Sequence, residues 1–399
     1  AHGSPFSAEV IAETKKLLGR NPDIAFDIDN DLPHDMLETL VSQREAHAAW
    51  QSRLRAAGER GEVLLRQFAT GGVPVGDTEI DPYDAGAKVA TRKALQRAID
   101  ALSPVSPGLV AGSADLTDNT GVLLPEKVAH GPSAPHGRQI YYGVREFAMG
   151  AAMVGMALHG GVRPVGSTFF VFSDDVRPAI RLAALSEAPC TFVFTHDSVA
   201  VGEDGPTHQP IEHLAALRAM PNLHVVRPSD ANETLRLARN LLSSRNHETN
   251  ALILTRQDIP VLGGEAAAAS ESSAERGAYV ARESASAVAT VFATGSEVHV
   301  ALQAAEQLAE SGVNVRVVAL PCWNCFESQP REYRESVQRR DLPSVSIEAG
   351  STFGWSRFAD VSIGIDTFGL SAPGDFVLDY FNMNADAVVR AVTDLIGEK

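Results

Sequence analysis

The sequence predicts an α/β protein: two doubly wound parallel-sheet domains in tandem, preceded by a helical linker. Two observations carry this. From about residue 88 onward, short β-rich apolar runs alternate with amphipathic helical segments, the pattern of a parallel sheet covered by helices. A small, polar stretch, GGEAAAASESSAERG at 263–277, interrupts that alternation before it resumes, and a domain boundary is expected there. A chain of 399 residues agrees with two cores rather than one.

Residues 1–85 have a different texture. A helical pattern over Ala8 to Leu18 stops at Gly19, the acidic stretch DIAFDIDNDLP follows, and one polar helix with charges on most faces is expected from Met36 to Arg66. The loop TGGVPVGDTEIDP leads into the first domain, 86–265, with strands expected at Leu109 to Gly112, Val162 to Phe170, Thr191 to Thr195, His224 to Arg227 and Ala251 to Thr255. Helices are expected between them at 89–101, 144–159, 174–186, 211–219 and 230–242. The second domain, 275–399, shows strands near 288–293, 314–319 and 344–348 and a closing helix at 384–397.

Composition narrows the function. Hydrophobic residues make up 44% and charged ones 21%, which places the chain among globular proteins and away from disorder. A net charge of −16 with no concentrated Lys and Arg argues against nucleic acid as a partner. No run of about 18 apolar residues occurs and the start AHGSPFSAEV has no signal-peptide pattern, so neither a membrane nor export is expected, and the location is read as cytoplasmic. Only three cysteines are present, and the Cys322–Cys325 pair, lacking a second CxxC or a His pair, is read as two ordinary thiols around Trp323 rather than a redox pair or a zinc half-site.

Chemistry concentrates in four segments that fall at strand ends, where an open parallel sheet presents its ligands: GSADL at 112–116, GVREF at 143–147, THDS at 195–198 and GEDGPTHQP at 202–210. Singly they are weak. Glu146 at a helix start also suits the helix dipole, and His196 and His208 could be ordinary loop histidines. GEDG lacks the spacing and the Lys of a phosphate loop.

Together the segments resemble the transketolases. IYYGVREFAMGAAMVGMALHGG, TFFVFSD, VFTHDSVAVGEDGPTHQP, NLHVVRPSD and ALILTRQ follow that family's pyrimidine-binding domain in order, and FATGSEV, RVVALPCWNCFE, EAGSTFGW and TFGLSAPG follow its C-terminal domain. The resemblance implies thiamine diphosphate as cofactor, with Mg²⁺ or Ca²⁺, and transfer of a two-carbon ketol unit between sugar phosphates in the pentose phosphate pathway. It implies that Glu146 shares a proton with the aminopyrimidine ring, that Phe169 and Phe172 pack on that ring, and that His208 assists proton transfers. Asp115 and His2 would lie near the cofactor, Asp204 would bind a donor hydroxyl, and Arg92, His196, Arg256 and Asn119 would bind the sugar phosphate.

The chain also departs from the pattern. Asp175 stands where many relatives carry a tyrosine over the pyrimidine, and in GSADLTDNTG either Asn119 or Thr120 takes the place of the usual phosphate-binding serine. No GDG segment followed by Asn occurs, so the diphosphate-binding domain is expected to be absent, the chain being a fragment or one half of a split enzyme. A homodimer, or a heteromer with a separate diphosphate-binding subunit, is implied. The alternatives are a dihydroxyacetone synthase, another thiamine-diphosphate subunit such as the β subunit of a 2-oxoacid dehydrogenase, or a non-catalytic partner chain.

Overall fold

Helices whose polar and charged residues leave no face to bury open the chain, and apolar runs that demand burial on both faces follow. The computed structural model describes residues 3–27, 32–72, 78–243 and 246–397. The chain divides into two units, Ala1–Leu65 and Arg66–Lys399.

In the first unit, α1 (Ala8–Leu17) is capped by the Ser7 hydroxyl, which accepts from the Val10 amide at 3.3 Å. Helix α2 (Leu32–Ala56) follows, and neither helix has a buried side chain. The single helix expected from Met36 to Arg66 is broken: Gly58 takes φ +54°, a left-handed conformation that stops α2, and α3 (Glu59–Ala69) begins beyond it.

The second unit holds two sheets. Its first part runs β1 (Lys88–Val89), α4 (Thr91–Leu102), β2 (Leu109–Ser113), α5 (Thr117–Thr120), β3 (Gln139–Tyr141), α6 (Glu146–His159), β4 (Arg163–Phe169), α7 (Ser173–Leu185), β5 (Thr191–Thr195), α8 (His213–Arg218), β6 (Leu223–Val226), α9 (Ala231–Leu241), β7 (Thr249–Leu254) and β8 (Ile259–Pro260). The six-stranded sheet has the order β3-β2-β4-β5-β7-β6 with every pairing parallel. Strands β5 and β7 are buried along their whole length, as expected of central parallel strands. Helices α6 and α7 approach closely because Gly150 has no side chain: a Cβ there would stand 2.5 Å from Val176 and 2.8 Å from Ala179.

The polar stretch at 263–277, where a domain boundary is expected, is largely helical. Helix α10 (Gly264–Ser273) runs through it, since alanine is the strongest helix former and Ala266 and Ser270 are buried. Its polar residues are used: the Ser270 hydroxyl donates to Glu233 at 2.9 Å, and Tyr279 donates to the same carboxylate at 2.6 Å. The second sheet follows, from β9 (Tyr279–Arg282), β10 (Ala289–Ala293), α11 (Glu297–Glu310), β11 (Val315–Ala319), α12 (Trp323–Glu327), α13 (Arg331–Gln338), β12 (Ser344–Ile347), β13 (Val361–Ile363), α14 (Gly374–Tyr380) and α15 (Ala385–Gly397). Its order is β13-β12-β10-β11-β9, parallel except for the antiparallel edge strand β9. Cys322 and Cys325, expected as free thiols, are joined as a disulfide at the start of α12, their Cα atoms 5.3 Å apart.

The two sheets are joined by buried charge. Arg227, just past β6 and 1% exposed, donates to Asp197 at 2.8 and 3.0 Å, to Glu297 at 2.5 Å and to the Thr294 carbonyl at 3.1 Å. Beside it Arg218 makes a two-bond fork to Glu348 at 2.6 and 2.8 Å while lying over the Trp323 ring, and Trp355 donates to the same carboxylate at 2.8 Å. Although burial alone would lower it, the three carboxylates hold the Arg227 guanidinium above its ordinary range. The two arginines hold Glu348 below the usual carboxylate range against its burial.

Removing one member of such a buried set leaves the others unpaired, at a cost of about 3–5 kcal/mol. Arg227→Ala should therefore lower unfolding stability by about that amount, read from urea denaturation; a loss under about 1 kcal/mol would mean that the two sheets are held by apolar contact alone.

Candidate active-site cavity

A cavity of about 690 Å³ opens at the carboxyl ends of the strands of the first sheet. The chain moves from β2 outward to β3, then returns past β2 to β4, and the ends of these strands with the loop before α8 supply the walls. Asp115 comes from the end of β2, Glu146 from the start of α6, Phe169 from the end of β4, Phe172 and Asp175 from the entry to α7, and His208 from the 202–210 loop.

Each wall residue has a local reason for its place. Glu146 is the first residue of α6 and is buried, so a helix start that favours a carboxylate coincides with a cavity wall. The Phe169 and Phe172 rings lie nearly parallel, centroids 6.2 Å apart with 13° between planes. The His208 ring stands edge-on to Phe172 at 5.7 Å, and its Nδ1 lies 3.0 Å from the Thr207 hydroxyl. Asp115 and His196 take φ of +63° and +62°, a left-handed conformation costly for residues other than glycine and concentrated at functional strand ends.

His196 connects the cavity to a basic cluster. Its ring lies on Phe169 with centroids 3.7 Å apart, and its Nδ1 is 2.9 Å from the Thr195 hydroxyl. Burial first, then the positive charges of Arg92 and Arg256 and the neighbouring His208, push its pKa down to about 3. Arg92 is itself held below its usual range by burial and by Arg256. Two cations and a neutral imidazole thus face one another; Asp258, which acts on Arg92, is itself bonded to Lys93 at 2.9 Å and offsets the cluster only in part, an arrangement suited to an anionic group.

The segments named from sequence are brought together unequally. Asp115, Glu146, Phe169, Phe172 and His208 share the cavity; Arg92, His196 and Arg256 form the adjoining cluster. The Arg92 Nη1 donates to the Asn119 carbonyl, so it is the backbone of Asn119 that is engaged there. Asp204 is exposed on the same loop as His208 and does not line the cavity. His2 lies outside the described residues. Sequence reasoning passed over Asp197, which follows His196 and is clamped by Arg227, although both sit inside the quoted strings THDS and HVVRPSD. It also passed over the brace on the 202–210 loop: Gln209 Nε2 donates to the Val199, Gly202 and Leu370 carbonyls at 3.2, 3.0 and 3.0 Å, and Ser371 donates to the Glu203 carbonyl at 2.6 Å.

Fold and cavity define a pair of open α/β domains with a ligand site at the carboxyl edge of the first. Both are similar to transketolase domains: the model of the transketolase pyrimidine binding domain matches residues 87–261, and that of the transketolase-like C-terminal domain matches 277–384. A third model, the transketolase thiamine diphosphate binding domain, matches residues 1–70. This corrects the expectation that the chain contains nothing of that domain. Helices α1 and α2 carry no core pattern of their own, and from sequence they read only as a linker. The transketolase of Geobacillus stearothermophilus is 42% identical over 408 residues, covering all of this chain and 61% of the relative. Among solved structures, transketolase from Leishmania mexicana matches with a TM-score of 0.92 at 37% identity, over 99% of this chain and 59% of that one. Transketolase from Pichia stipitis in complex with sedoheptulose-7-phosphate matches with the same TM-score at 34% identity and the same coverage. The chain therefore spans about three-fifths of the length of these relatives.

The depressed His196 value has a direct readout. Its ring should stay neutral down to about pH 5, with the charged form appearing only in strong acid, followed through the imidazole carbon-bound proton by NMR. A midpoint near the ordinary histidine value of about 6.5 would show that neither burial nor the Arg92 and Arg256 charges act on the ring.

Proposed function

We propose that this chain supplies the pyrimidine-binding and C-terminal domains, with a segment of the diphosphate-binding domain at residues 1–70, of a thiamine-diphosphate-dependent transketolase, which moves a two-carbon ketol unit from a ketose phosphate to an aldose phosphate. The observation that carries the reading is the buried Glu146 carboxyl set into the same cavity as the near-parallel Phe169 and Phe172 rings and the His208 ring. An aminopyrimidine is flat, apolar on its faces and polar at its edge; the cavity offers flat aromatic walls and one buried acid, and the fit is good.

Glu146, Phe169, Phe172 and Asp115 would hold the cofactor's pyrimidine end, and a divalent metal, Mg²⁺ or Ca²⁺, would accompany its diphosphate. When bound, thiamine diphosphate supplies the carbon nucleophile that accepts the two-carbon unit. Glu146 holds a proton at the pyrimidine ring nitrogen. His208 exchanges protons near the ring's amino group and the donor sugar. Arg92, Arg256 and the neutral His196 bind the sugar's phosphate, for which the solved relative holding sedoheptulose-7-phosphate gives support. Asp204 binds a donor hydroxyl, and Asp175 at the cavity wall places a carboxylate beside the ring site, so that it tunes which sugars are accepted. The working form is a homodimer: Val144 and Phe147, at the cavity wall, are 77% and 54% exposed and want a second surface. The setting is cytoplasmic carbohydrate metabolism, the pentose phosphate pathway; among the described residues no helix is long and apolar enough to cross a membrane.

Replacing Glu146 with Gln keeps its size but removes proton exchange, and turnover of the complete enzyme should fall by about 10²–10⁴, with the KM for the phosphosugar little changed. Deuterium incorporation at the cofactor's reactive carbon isolates the step; an exchange rate within about threefold of the parent would reduce Glu146 to a helix-start carboxylate.

Arg92→Ala, Arg256→Ala and His196→Ala should each weaken phosphorylated substrates by about 10- to 100-fold, the equivalent of one charge-assisted bond, while glycolaldehyde is spared. Equal losses on both acceptors would remove the cluster from phosphate recognition.

A further inference from the structure

Away from the cavity, three side chains meet where α7 and α8 begin. Asp174 is the second residue of α7, Glu212 immediately precedes α8, and His213 is its first residue. One donor atom from each lies within 4.8 Å of those of the other two, the only such group among the described residues. None of the three lines the cavity, although the adjacent Asp175 does.

The group differs from an ordinary acidic cluster in its histidine. The His213 ring is 5% exposed, lies against Phe170 with centroids 5.6 Å apart, and neither ring nitrogen has a hydrogen-bond partner. A buried imidazole with both nitrogens unsatisfied is uncommon, because each such atom forfeits its bond to water. Its Nε2 lies 3.4 Å from Asp174 Oδ2, and its Nδ1 lies 3.9 Å from Glu212 Oε2. Two ligands on a tetrahedral zinc ion, with bonds of about 2.0–2.2 Å, stand roughly 3.4 Å apart. The Nε2 to Asp174 separation matches that edge. A single ion takes one ring nitrogen; with Nε2 as that ligand, Glu212, now 3.9 Å from Nδ1, has to turn toward the Asp174 side. Both carboxylates, more than half exposed and within 4.8 Å of the group, can do so without disturbing the core.

From this geometry we infer that Asp174, Glu212 and His213 form a binding site for a zinc-like divalent cation, tying the start of α7 to the start of α8. One imidazole and two carboxylates suit Zn²⁺, with water completing the shell. Mg²⁺, which prefers an all-oxygen shell, is a poor match for the imidazole. The site stands independently of the functional reading, since it uses only residues outside the cavity.

The test uses the full chain, stripped with chelator and kept free of reductant so that the Cys322–Cys325 disulfide stays closed. Calorimetric titration should show one Zn²⁺ bound per chain, a rise in Tm on loading, and little competition from Mg²⁺. Co²⁺ should give visible absorption bands of a four-coordinate site. Asp174→Asn and Glu212→Gln, both at exposed positions, should each weaken Zn²⁺ by about 10-fold or more and abolish the Tm rise. His213→Gln should do the same; if it fails to fold, the two carboxylate variants decide. No uptake by the parent chain, or uptake unchanged in both carboxylate variants, overturns the assignment.

Discussion

Arg227 is the residue on which the rest of this structure leans. It sits at the end of β6 with 1% of its surface exposed, and its guanidinium gathers Asp197 from the first sheet and Glu297 from the second, with Glu348 3.6 Å away. A charge buried this deeply is tolerated only where carboxylates surround it and nearly every donor is used. That constraint fixes the two sheets in one register. It also fixes Asp197, and so the backbone of the preceding residue, His196, which is held in a left-handed conformation that an unsupported loop would relax. The Ala349 amide donates to Glu297 at 3.0 Å and the Arg227 amide to the Pro321 carbonyl at 2.9 Å, so main chain as well as side chains closes the junction.

The cavity is built in part from positions that are costly before a ligand arrives. Asp115 and His196 both have positive φ, His196 lies on an aromatic ring within the field of two arginines, and Glu146 is a carboxyl buried at a wall. Their joint effect is a basic cluster only partly offset by Asp258, beside a slot with aromatic walls and a buried acid. An anionic group and a flat ring are the two chemistries that relieve such an arrangement, and relieving it is what binding contributes.

Much of the fold was legible in the sequence wherever burial was continuous. Thr191–Thr195 reads as a strand from its short β-rich run, and the structure gives the strand those limits with all five residues buried. Strands β3 and β13 were not foreseen because three residues carry no period, and β9 alternates over only four. That the run 263–277 carries a helix was not legible, because alanine, serine and glutamate serve equally as helix formers and as polar linker residues; only the contact of Ser270 with Glu233 shows which. The cavity was legible through its strand-end motifs. Its supports were not, since Asp197, Arg227 and Glu297 are charged residues that a sequence reader assigns to the surface, and what buries them is a partner 30 or 70 residues away.

The brace on the 202–210 loop gives the second domain a role beyond packing. Gln209 and Glu203 are held through the backbone at Leu370 and the side chain of Ser371, and Gly374 sits so close to Ala200 that a Cβ there would lie 2.6 Å from its carbonyl oxygen. The loop carrying His208 therefore inherits its shape from a segment more than 160 residues downstream. In evolutionary terms the two domains are a single unit of inheritance: a crossover between homologues that falls in the connection between them joins a loop to a brace selected for another sequence, and selection would retain only exchanges that carry both halves of the contact together.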